Sequence, residues 1–328
     1  MNSRRIKWFC ALLPLLLLAP LASSQTLVLQ RTFIEQYKDR ATIDGKFIVD
    51  HAHKRANPGK KDGDLHAAGR SNEVGLPMVA EVMNAAGDSQ VDVVDAIHAN
   101  EGKGNATPIS GAWRIWFEHP SKLPQIQFHD VPPAANTNPA HCFEIHPITM
   151  YAGKPIPDSL REIPDFTPKD AESAFGRYEK LSANLEIGDQ TVTITSKMVG
   201  FNYVGFVAQL AGKRESLDKN DAGAIDGEVV LANVMDNEGD TVLVNDVRLI
   251  FIAGTPPAEA LANAGDGATL ELLGIPRLDL NAISAFIAGG GSGSYVRKLP
   301  YEMIVVAVKR VDGAPVQPAT STRKRSHS

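Results

Sequence analysis

Short runs in which apolar and polar residues alternate recur along most of the chain, and Gly, Asp, Asn and Pro separate them. Alternation with a period of two is typical of β-strands that bury one face. In the first half this pattern predicts five strands, at 45–53, 64–70, 76–83, 112–119 and 143–151. A helical pattern at 89–102 lies between the third and fourth of them.

The second half repeats this order. A segment at 191–210 predicts one long strand or a hairpin, and a helix is predicted at 255–265. The remaining strands are predicted at 226–235, 244–254, 267–278 and 301–311. A proline-rich linker at 154–168 leads into a helix that ends near residue 181 and separates the halves.

Five strands with a helix between the third and fourth are the order of the OB fold, a small Greek-key barrel. The sequence therefore predicts a mainly β protein with two tandem OB-like Greek-key β-barrels, joined by the linker and the short helix. One larger β-sandwich is the alternative. The predicted units are a signal peptide at 1–24, an OB-like domain at 25–153, a linker and helix at 154–181, a second OB-like domain at 182–313 and a disordered basic tail at 314–328.

The N-terminus has the layout of a cleaved secretory signal. Arg4, Arg5 and Lys7 precede an apolar run from Trp8 to Leu18. That run is shorter than the roughly 20 residues that a spanning helix needs, so no transmembrane segment is expected after cleavage. We predict export to the periplasm or the extracellular space, with a mature chain that begins near Gln25.

Cleavage also changes the charge. It removes three basic groups and no acidic group, so the formal net charge moves from −5 to −8. An acidic protein is a poor default partner for nucleic acid or an anionic membrane. Only Cys142 remains after cleavage, so no intramolecular disulfide can form, and we expect Cys142 to be a buried, unreactive side chain.

Histidine is distributed unevenly between the halves. Eight of the nine histidines lie between His51 and His146, and the ninth is His327 in the tail. FEIHP at 143–147 corresponds to YEMIV at 301–305, where the apolar frame and the glutamate are kept and the histidine is absent. A barrel with this plan therefore does not need the histidines to fold.

Alternation along the strands indicates which polar groups can meet. Asp64 and His66 share one face, and Glu144 and His146 share another with Cys142, opposite Phe143. Because the strands concerned are neighbours in an OB barrel, these groups can lie close together. The ligand or metal candidates are His51, His53, Asp64, His66, Glu81, His119, His141, Glu144 and His146.

Imidazole and carboxylate groups on neighbouring strands suit a divalent metal, with zinc favoured by the nitrogen ligands. They also suit general acid–base chemistry, and hydrogen-bonded structural pairs are a further alternative. The chain has no HExxH, no CxxC and no GxSxG motif. Catalytic residues therefore stay unassigned.

The loop between the first two predicted strands is basic. It carries Lys54, Arg55, Lys60 and Lys61. In OB folds this loop commonly contacts oligonucleotides or oligosaccharides, so these four residues are binding candidates. The acidic net charge disfavours nucleic acid, and a solvated loop without a ligand is the alternative.

DGDLH at 62–66, MVAE at 78–81, WRIWFEHP at 113–120 and HCFEIHP at 141–147 together resemble a group of bacterial exported OB-like domains. Those domains carry a DGDxH segment and a terminal EIHP strand. The resemblance covers about residues 44–150 and does not extend to the second half. It implies no particular activity, and the positions that fit its pattern are Asp62, Asp64, His66, Glu144, His146 and Pro147.

These observations predict an exported binding protein for an unknown ligand, with a divalent-metal site on the first barrel. One alternative is a metal-dependent hydrolase of phosphodiester or related bonds that uses the same His, Glu and Asp side chains. The other is a structural component of the cell envelope, in which the histidines form hydrogen bonds only.

Overall fold

The structure is a computed structural model, and it describes residues 24–291 and 293–312. The predicted basic tail and all but the last residue of the predicted signal peptide lie outside these ranges, so both stay predictions. Within the described ranges, none of the helices combines the length and the apolar character that crossing a bilayer requires.

Strands dominate the described part of the chain, which confirms the mainly β class. The strands are β1 (Ser24–Gln30), β2 (Thr42–Ala52), β3 (Leu65–Arg70), β4 (Met78–Val82), β5 (Ala106–His119), β6 (Gln125–Ile126), β7 (His141–Tyr151), β8 (Lys154–Pro155), β9 (Lys169–Asp170), β10 (Ser182–Ile187), β11 (Thr191–Lys197), β12 (Val204–Leu210), β13 (Glu215–Ser216), β14 (Gly227–Met235), β15 (Val242–Ile252), β16 (Thr269–Leu278), β17 (Gly293–Lys298) and β18 (Tyr301–Asp312). The helices are α1 (Arg31–Tyr37), α2 (Val91–Asn100), α3 (Ala171–Tyr178), α4 (Pro256–Asn263) and α5 (Leu280–Ala288).

Five strands of the first half close into a barrel, here called the first barrel, in the order β2–β3–β4–β7–β5. β4 and β7 are parallel, and the other neighbours are antiparallel. Phe47, Leu65 and Phe143 belong to its apolar core. Helix α2 connects β4 to β5 in the chain, as the sequence predicted.

The second half repeats this pairing order, and we call it the second barrel. Its strands follow one another as β12–β14–β15–β18–β16, and β12 pairs with both β14 and β16. The parallel pair is β15 with β18, and helix α4 again lies between the third and fourth strands in the chain. The tandem OB-like assignment stays a prediction, which the shared order favours.

A third sheet takes strands from both halves. Its order is β17–β10–β11–β1–β6. The prediction of one strand or a hairpin at 191–210 is wrong, because β11 belongs to this sheet and β12 belongs to the second barrel. The partners of β11 are β1 and β10, two strands that the sequence did not reveal, so distant pairing decided the outcome.

The two barrels contact each other through β5 and β16, and the contact is reciprocal. Arg114 on β5 donates from Nε to the carbonyl oxygen of Pro276, at 2.9 Å. Arg277 on β16 donates from Nη1 to the carbonyl oxygen of Trp113, at 3.2 Å. Each arginine therefore binds the residue that directly precedes the other arginine.

Each of these arginines also pairs with a glutamate on the adjacent strand. Arg114 donates to Glu144 on β7, and Arg277 donates from Nε to Glu302 on β18, at 2.7 Å. In both barrels the two residues lie directly opposite each other in the strand register. Buried ions are costly unless they are paired, so each glutamate stabilises the buried arginine that donates to the other barrel.

The linker packs over this interface. Leu160 and Ile163 belong to the same apolar cluster as Ile275 and Ile304 of the second barrel. Ser159 anchors the linker by donating from Oγ to the carbonyl oxygen of Ile148, at 2.7 Å. The segment between the barrels is therefore part of the packed structure.

Candidate metal centre

Four polar side chains meet where β3, β4 and β7 of the first barrel face the second half. They are Asp64, Glu81, Glu144 and His146, and each is at most 3% exposed. Alternation along β7 places Glu144 and His146 on this face, whereas Phe143 belongs to the apolar core. We call these four residues the polar cluster.

Strand register brings the members of the polar cluster together. β4 runs parallel to β7 and pairs Val79 with Glu144, so the end of β4 lies beside His146. β3 pairs His66 with Glu81. Asp64 directly precedes β3, at the end of a turn in which Asp62 accepts its backbone N–H at 3.1 Å.

A tyrosine from the second half completes the cluster and fixes a tautomer. Tyr203 donates from its hydroxyl to Asp64 Oδ2, at 2.7 Å. Its oxygen lies 2.7 Å from His146 Nε2. Since the hydroxyl proton points to Asp64, the hydrogen of the second contact belongs to His146 Nε2. The other ring nitrogen, Nδ1, then has a lone pair when the ring is neutral.

That nitrogen faces two carboxylate oxygens. His146 Nδ1 lies 3.4 Å from Glu81 Oε2 and 3.5 Å from Glu144 Oε2, and neither contact is a well-formed hydrogen bond. A lone pair that faces carboxylate oxygens in a dry interior is repelled unless a cation or proton lies between them. Among the described side chains, His146 Nδ1, Glu81 Oε2 and Asp64 Oδ1 are all buried without a hydrogen-bond partner.

The charge balance of the cluster favours a cation. Asp64, Glu81 and Glu144 are three carboxylates facing one guanidinium, that of Arg114, which leaves a formal charge of −2 when the histidines are neutral. Protons can also supply positive charge, and the pKa values of Asp64, Glu81 and His146 are raised. Burial raises the pKa of Glu81 to about 7, and burial also raises the pKa of Asp64. Burial alone lowers the pKa of His146, but the surrounding carboxylates raise it well above its usual value.

Glu144 differs from the other two carboxylates because it is already neutralised. Burial acts to raise its pKa, but Arg114 and His141 outweigh burial and hold the pKa well below its usual range. Its Oε1 lies 3.1 Å from His141 Nε2. Arg114 also donates to Glu118, at 2.7 Å. Glu144 therefore belongs to the ion-paired frame between the barrels.

A second group, formed by His119, His141 and Glu144, also has ligand atoms within 4.8 Å of one another. Both ring nitrogens of His141 already have hydrogen-bond partners. His141 Nδ1 contacts the carbonyl oxygen of Pro139 at 2.7 Å and Nε2 contacts Glu144, so both nitrogens carry hydrogens. The His119 ring stacks on His141 at 4.3 Å, and burial and His141 lower its pKa to about 4. This group is the poorer metal site, because both nitrogens of His141 already have hydrogen-bond partners, whereas Nδ1 of His146 has none among the described residues.

The first group, Asp64, Glu81 and His146, has free donor atoms. One ligand atom from each of these residues lies within 4.8 Å of the others. Two carboxylates and one imidazole are ligands for zinc and for other first-row divalent metals. The part of the chain that the structure describes therefore holds a chemically suitable metal centre at this point.

His66 and His53 lie beside this centre. His66 Nε2 is 3.4 Å from Glu81 Oε2, and the His66 side chain is 13% exposed. The His53 ring stacks on it at 4.6 Å. Burial and the neighbouring His66 lower the pKa of His53.

The structure does not bring the remaining candidates into the cluster. The His51 side chain is 45% exposed and its Nδ1 is 3.9 Å from Glu101, and β2 has an irregular register between Val49 and His51. The basic-loop candidates are exposed between β2 and β3, and they are Lys54, Arg55, Lys60 and Lys61. Cys142 is buried, as the sequence predicted, and burial raises the pKa of its thiol.

Sequence reasoning missed Arg114 and Tyr203. Arg114 had a usable signal, since it is one charge between Trp113 and Ile115 in an apolar strand, which predicts a buried ion that needs a partner. Tyr203 had no such signal, because it comes from the half without candidates.

The chain matches no protein-family model, and no curated protein matches its sequence.

Proposed function

We propose that this chain is an exported metal-binding protein without catalytic activity. In this proposal Asp64, Glu81 and His146 bind one divalent cation, with zinc preferred. The bound cation stabilises the contact between the first barrel and the Tyr203 segment of the second half.

One observation carries the proposal: Nδ1 of His146 and two carboxylate oxygens, all buried, have no hydrogen-bond partners among the described residues. Ligand atoms on one tetrahedral zinc are about 3.3–3.5 Å apart, since each lies about 2.0–2.2 Å from the ion. The 3.4 Å between Glu81 Oε2 and His146 Nδ1 agrees with that spacing.

The surroundings of His146 support the same assignment. A histidine that binds a metal through one nitrogen commonly donates its other ring N–H to a fixed acceptor. His146 has this arrangement, with Nε2 directed at the Tyr203 hydroxyl. A divalent cation also cancels the formal charge of −2 that the three carboxylates and Arg114 leave.

Burial favours binding over hydrolysis. Three protein ligands leave a fourth position on zinc for water, but catalysis also requires that a substrate can reach that position. The side chains of Asp64, Glu81 and His146 are at most 2% exposed, and Tyr203 covers them from the second half. The metal-dependent hydrolase is therefore the weaker alternative.

The test is a calorimetric titration of chelator-treated protein with Zn²⁺ at pH 7. We expect one zinc ion per chain, and we expect Asp64→Asn and His146→Gln to abolish the heat of binding. His51→Gln is the matched control, because it removes an exposed histidine outside the cluster, and it should bind zinc like the wild type. A wild type without stoichiometric binding, or a control that loses binding equally, contradicts the proposal.

Export has its own test. If the chain is expressed with its N-terminus intact and secreted, mass spectrometry of the mature protein should find Gln25, or a residue within a few positions of it, as the first residue. Recovery of the full-length chain inside the cell contradicts export without affecting the metal site.

A further inference from the structure

A buried metal site needs a route by which the ion arrives. Asp64, Glu81 and His146 are closed off, so a hydrated ion in solvent cannot reach all three directly. Among the described side chains that make polar contacts with the side chains of these three, Tyr203 and Glu144 are 3% exposed. His66 is the one with appreciable solvent exposure, at 13% of its side chain.

The position of His66 suits an intermediate ligand. Its Nε2 lies 3.4 Å from Glu81 Oε2, which is the spacing of two ligands on one zinc ion. Its other nitrogen, Nδ1, is buried and has no hydrogen-bond partner in the described part of the chain. No hydrogen bond therefore fixes the ring, and stacking on His53, at an angle of 13° between the rings, still allows it to shift in its own plane.

Resting on the metal site proposed above, we propose that His66 is a transfer ligand. It binds the incoming cation at the protein surface and shares it with Glu81. Asp64 and His146 then replace His66 in the coordination sphere. Any proton that His146 Nδ1 or a carboxylate carries is released to solvent as its metal–ligand bond forms, and the ion keeps its charge throughout. The pathway lowers the barrier because the ion exchanges its ligands one at a time instead of losing its hydration in one step.

Rate and equilibrium measurements distinguish a transfer ligand from a permanent ligand. A residue that binds the ion only in transit changes how fast the equilibrium is reached, whereas a permanent ligand changes the equilibrium itself. Since the dissociation constant is the ratio of the two rate constants, loss of the transfer ligand must slow association and dissociation by the same factor.

The experiment is stopped-flow exchange of Zn²⁺ between the full chain and a chromophoric chelator, in both directions. We expect His66→Gln to slow both rates about tenfold or more, with an unchanged dissociation constant. His53→Gln, which removes the stacked neighbour, should slow both rates by a smaller factor. His51→Gln is the control and should exchange zinc at the wild-type rates.

Two outcomes overturn the transfer role while the metal site stands. In one, the rates of His66→Gln and His53→Gln equal those of the wild type. In the other, His66→Gln weakens binding as strongly as Asp64→Asn, which makes His66 a permanent ligand. A wild type that binds no zinc is a third outcome, and it overturns the metal site and the transfer role together.

Discussion

The two barrels share one interface and differ in what surrounds it. Each has a buried arginine on its fourth strand that pairs with a glutamate on its fifth, Arg114 with Glu144 and Arg277 with Glu302. If these pairs are aligned, His146 of the first barrel corresponds to Ile304 of the second. The ion pair is thus the common frame, and the histidine is an addition in one half.

The strand register extends the comparison to Glu81. β4 pairs Ala80 with Ile145, and β15 pairs Leu249 with Met303. Glu81, the next residue on β4, therefore corresponds to Ile250, which is completely buried in an apolar cluster. The second barrel therefore has isoleucine at both positions that correspond to His146 and Glu81.

The residues before the second strands complete the comparison. Asp226 directly precedes β14, and its Oδ2 accepts from the backbone of Ala41 and Thr42 at 2.7 and 2.8 Å and from Arg40 at 3.0 Å. Asp64 directly precedes β3, and its Oδ1 has no partner in the described residues. Both carboxylate oxygens of Asp226 thus have hydrogen-bond partners, whereas one oxygen of Asp64 is left available to a ligand.

The largest expected effect comes from breaking the shared frame. Arg114→Met and Arg277→Met each leave a buried glutamate without its main partner, so each should lower the free energy of unfolding by about 3–5 kcal/mol. Urea unfolding followed by circular dichroism measures this loss. Lys103→Met, at an exposed position, is the control. A loss below about 1 kcal/mol for either arginine, the range of surface pairs, contradicts the frame.

Zinc should stabilise only a chain that keeps its three proposed ligands, Asp64, Glu81 and His146, here called the polar triad. At a free zinc concentration of 100 times the dissociation constant, the free energy of unfolding should rise by about 2.7 kcal/mol. Asp64→Asn should abolish this increase, which urea unfolding with and without zinc can measure. An increase that persists in Asp64→Asn places the ion elsewhere.

Giving the first barrel the isoleucines of the second tests whether the metal ligands are needed for folding. The double variant Glu81→Ile with His146→Ile should fold and should bind no zinc. Without metal it should be more stable than the wild type by about 1–2 kcal/mol, since apolar replacement of buried charged groups is often stabilising. Unfolding in the presence of a chelator tests this, and a clear loss of stability shows that the triad is structural.

The smallest effect concerns Asp279, beside Glu302 in the second half. Burial, with a contribution from Glu302, raises its pKa from the usual 3.8 to about 6. The folded state therefore binds the proton more tightly than the unfolded state, so this contribution to stability is full below pH 3.8 and is lost as the pH rises through 6. Asp279→Asn keeps the cap of α5, in which Asp279 accepts from Ala282 at 2.8 Å. It should be more stable than the wild type by about 1 kcal/mol at pH 7.5 and equally stable at pH 3.5.

Thermal unfolding of both proteins across this pH range measures the difference. If the stability advantage of Asp279→Asn is the same at pH 3.5 and pH 7.5, protonation of Asp279 does not contribute to it.

Alternation in the sequence was enough to predict most strands and to place Glu144 and His146 opposite Phe143. It could not predict that β1, β10, β11 and β17 form a sheet across both halves, because strand pairing over long distances leaves no local signal. Nor could it show that Asp64 corresponds to Asp226, because that correspondence rests on where β3 and β14 begin.

In the proposed function the polar triad of the first barrel, which the second barrel lacks, binds a metal ion. Anomalous diffraction at the zinc edge, from crystals of the zinc-loaded chain, tests this most directly. We expect a strong peak about 2.0–2.2 Å from ligand atoms of Asp64, Glu81 and His146. Stoichiometric zinc with no peak there, for example with its peak between His119 and His141, contradicts it.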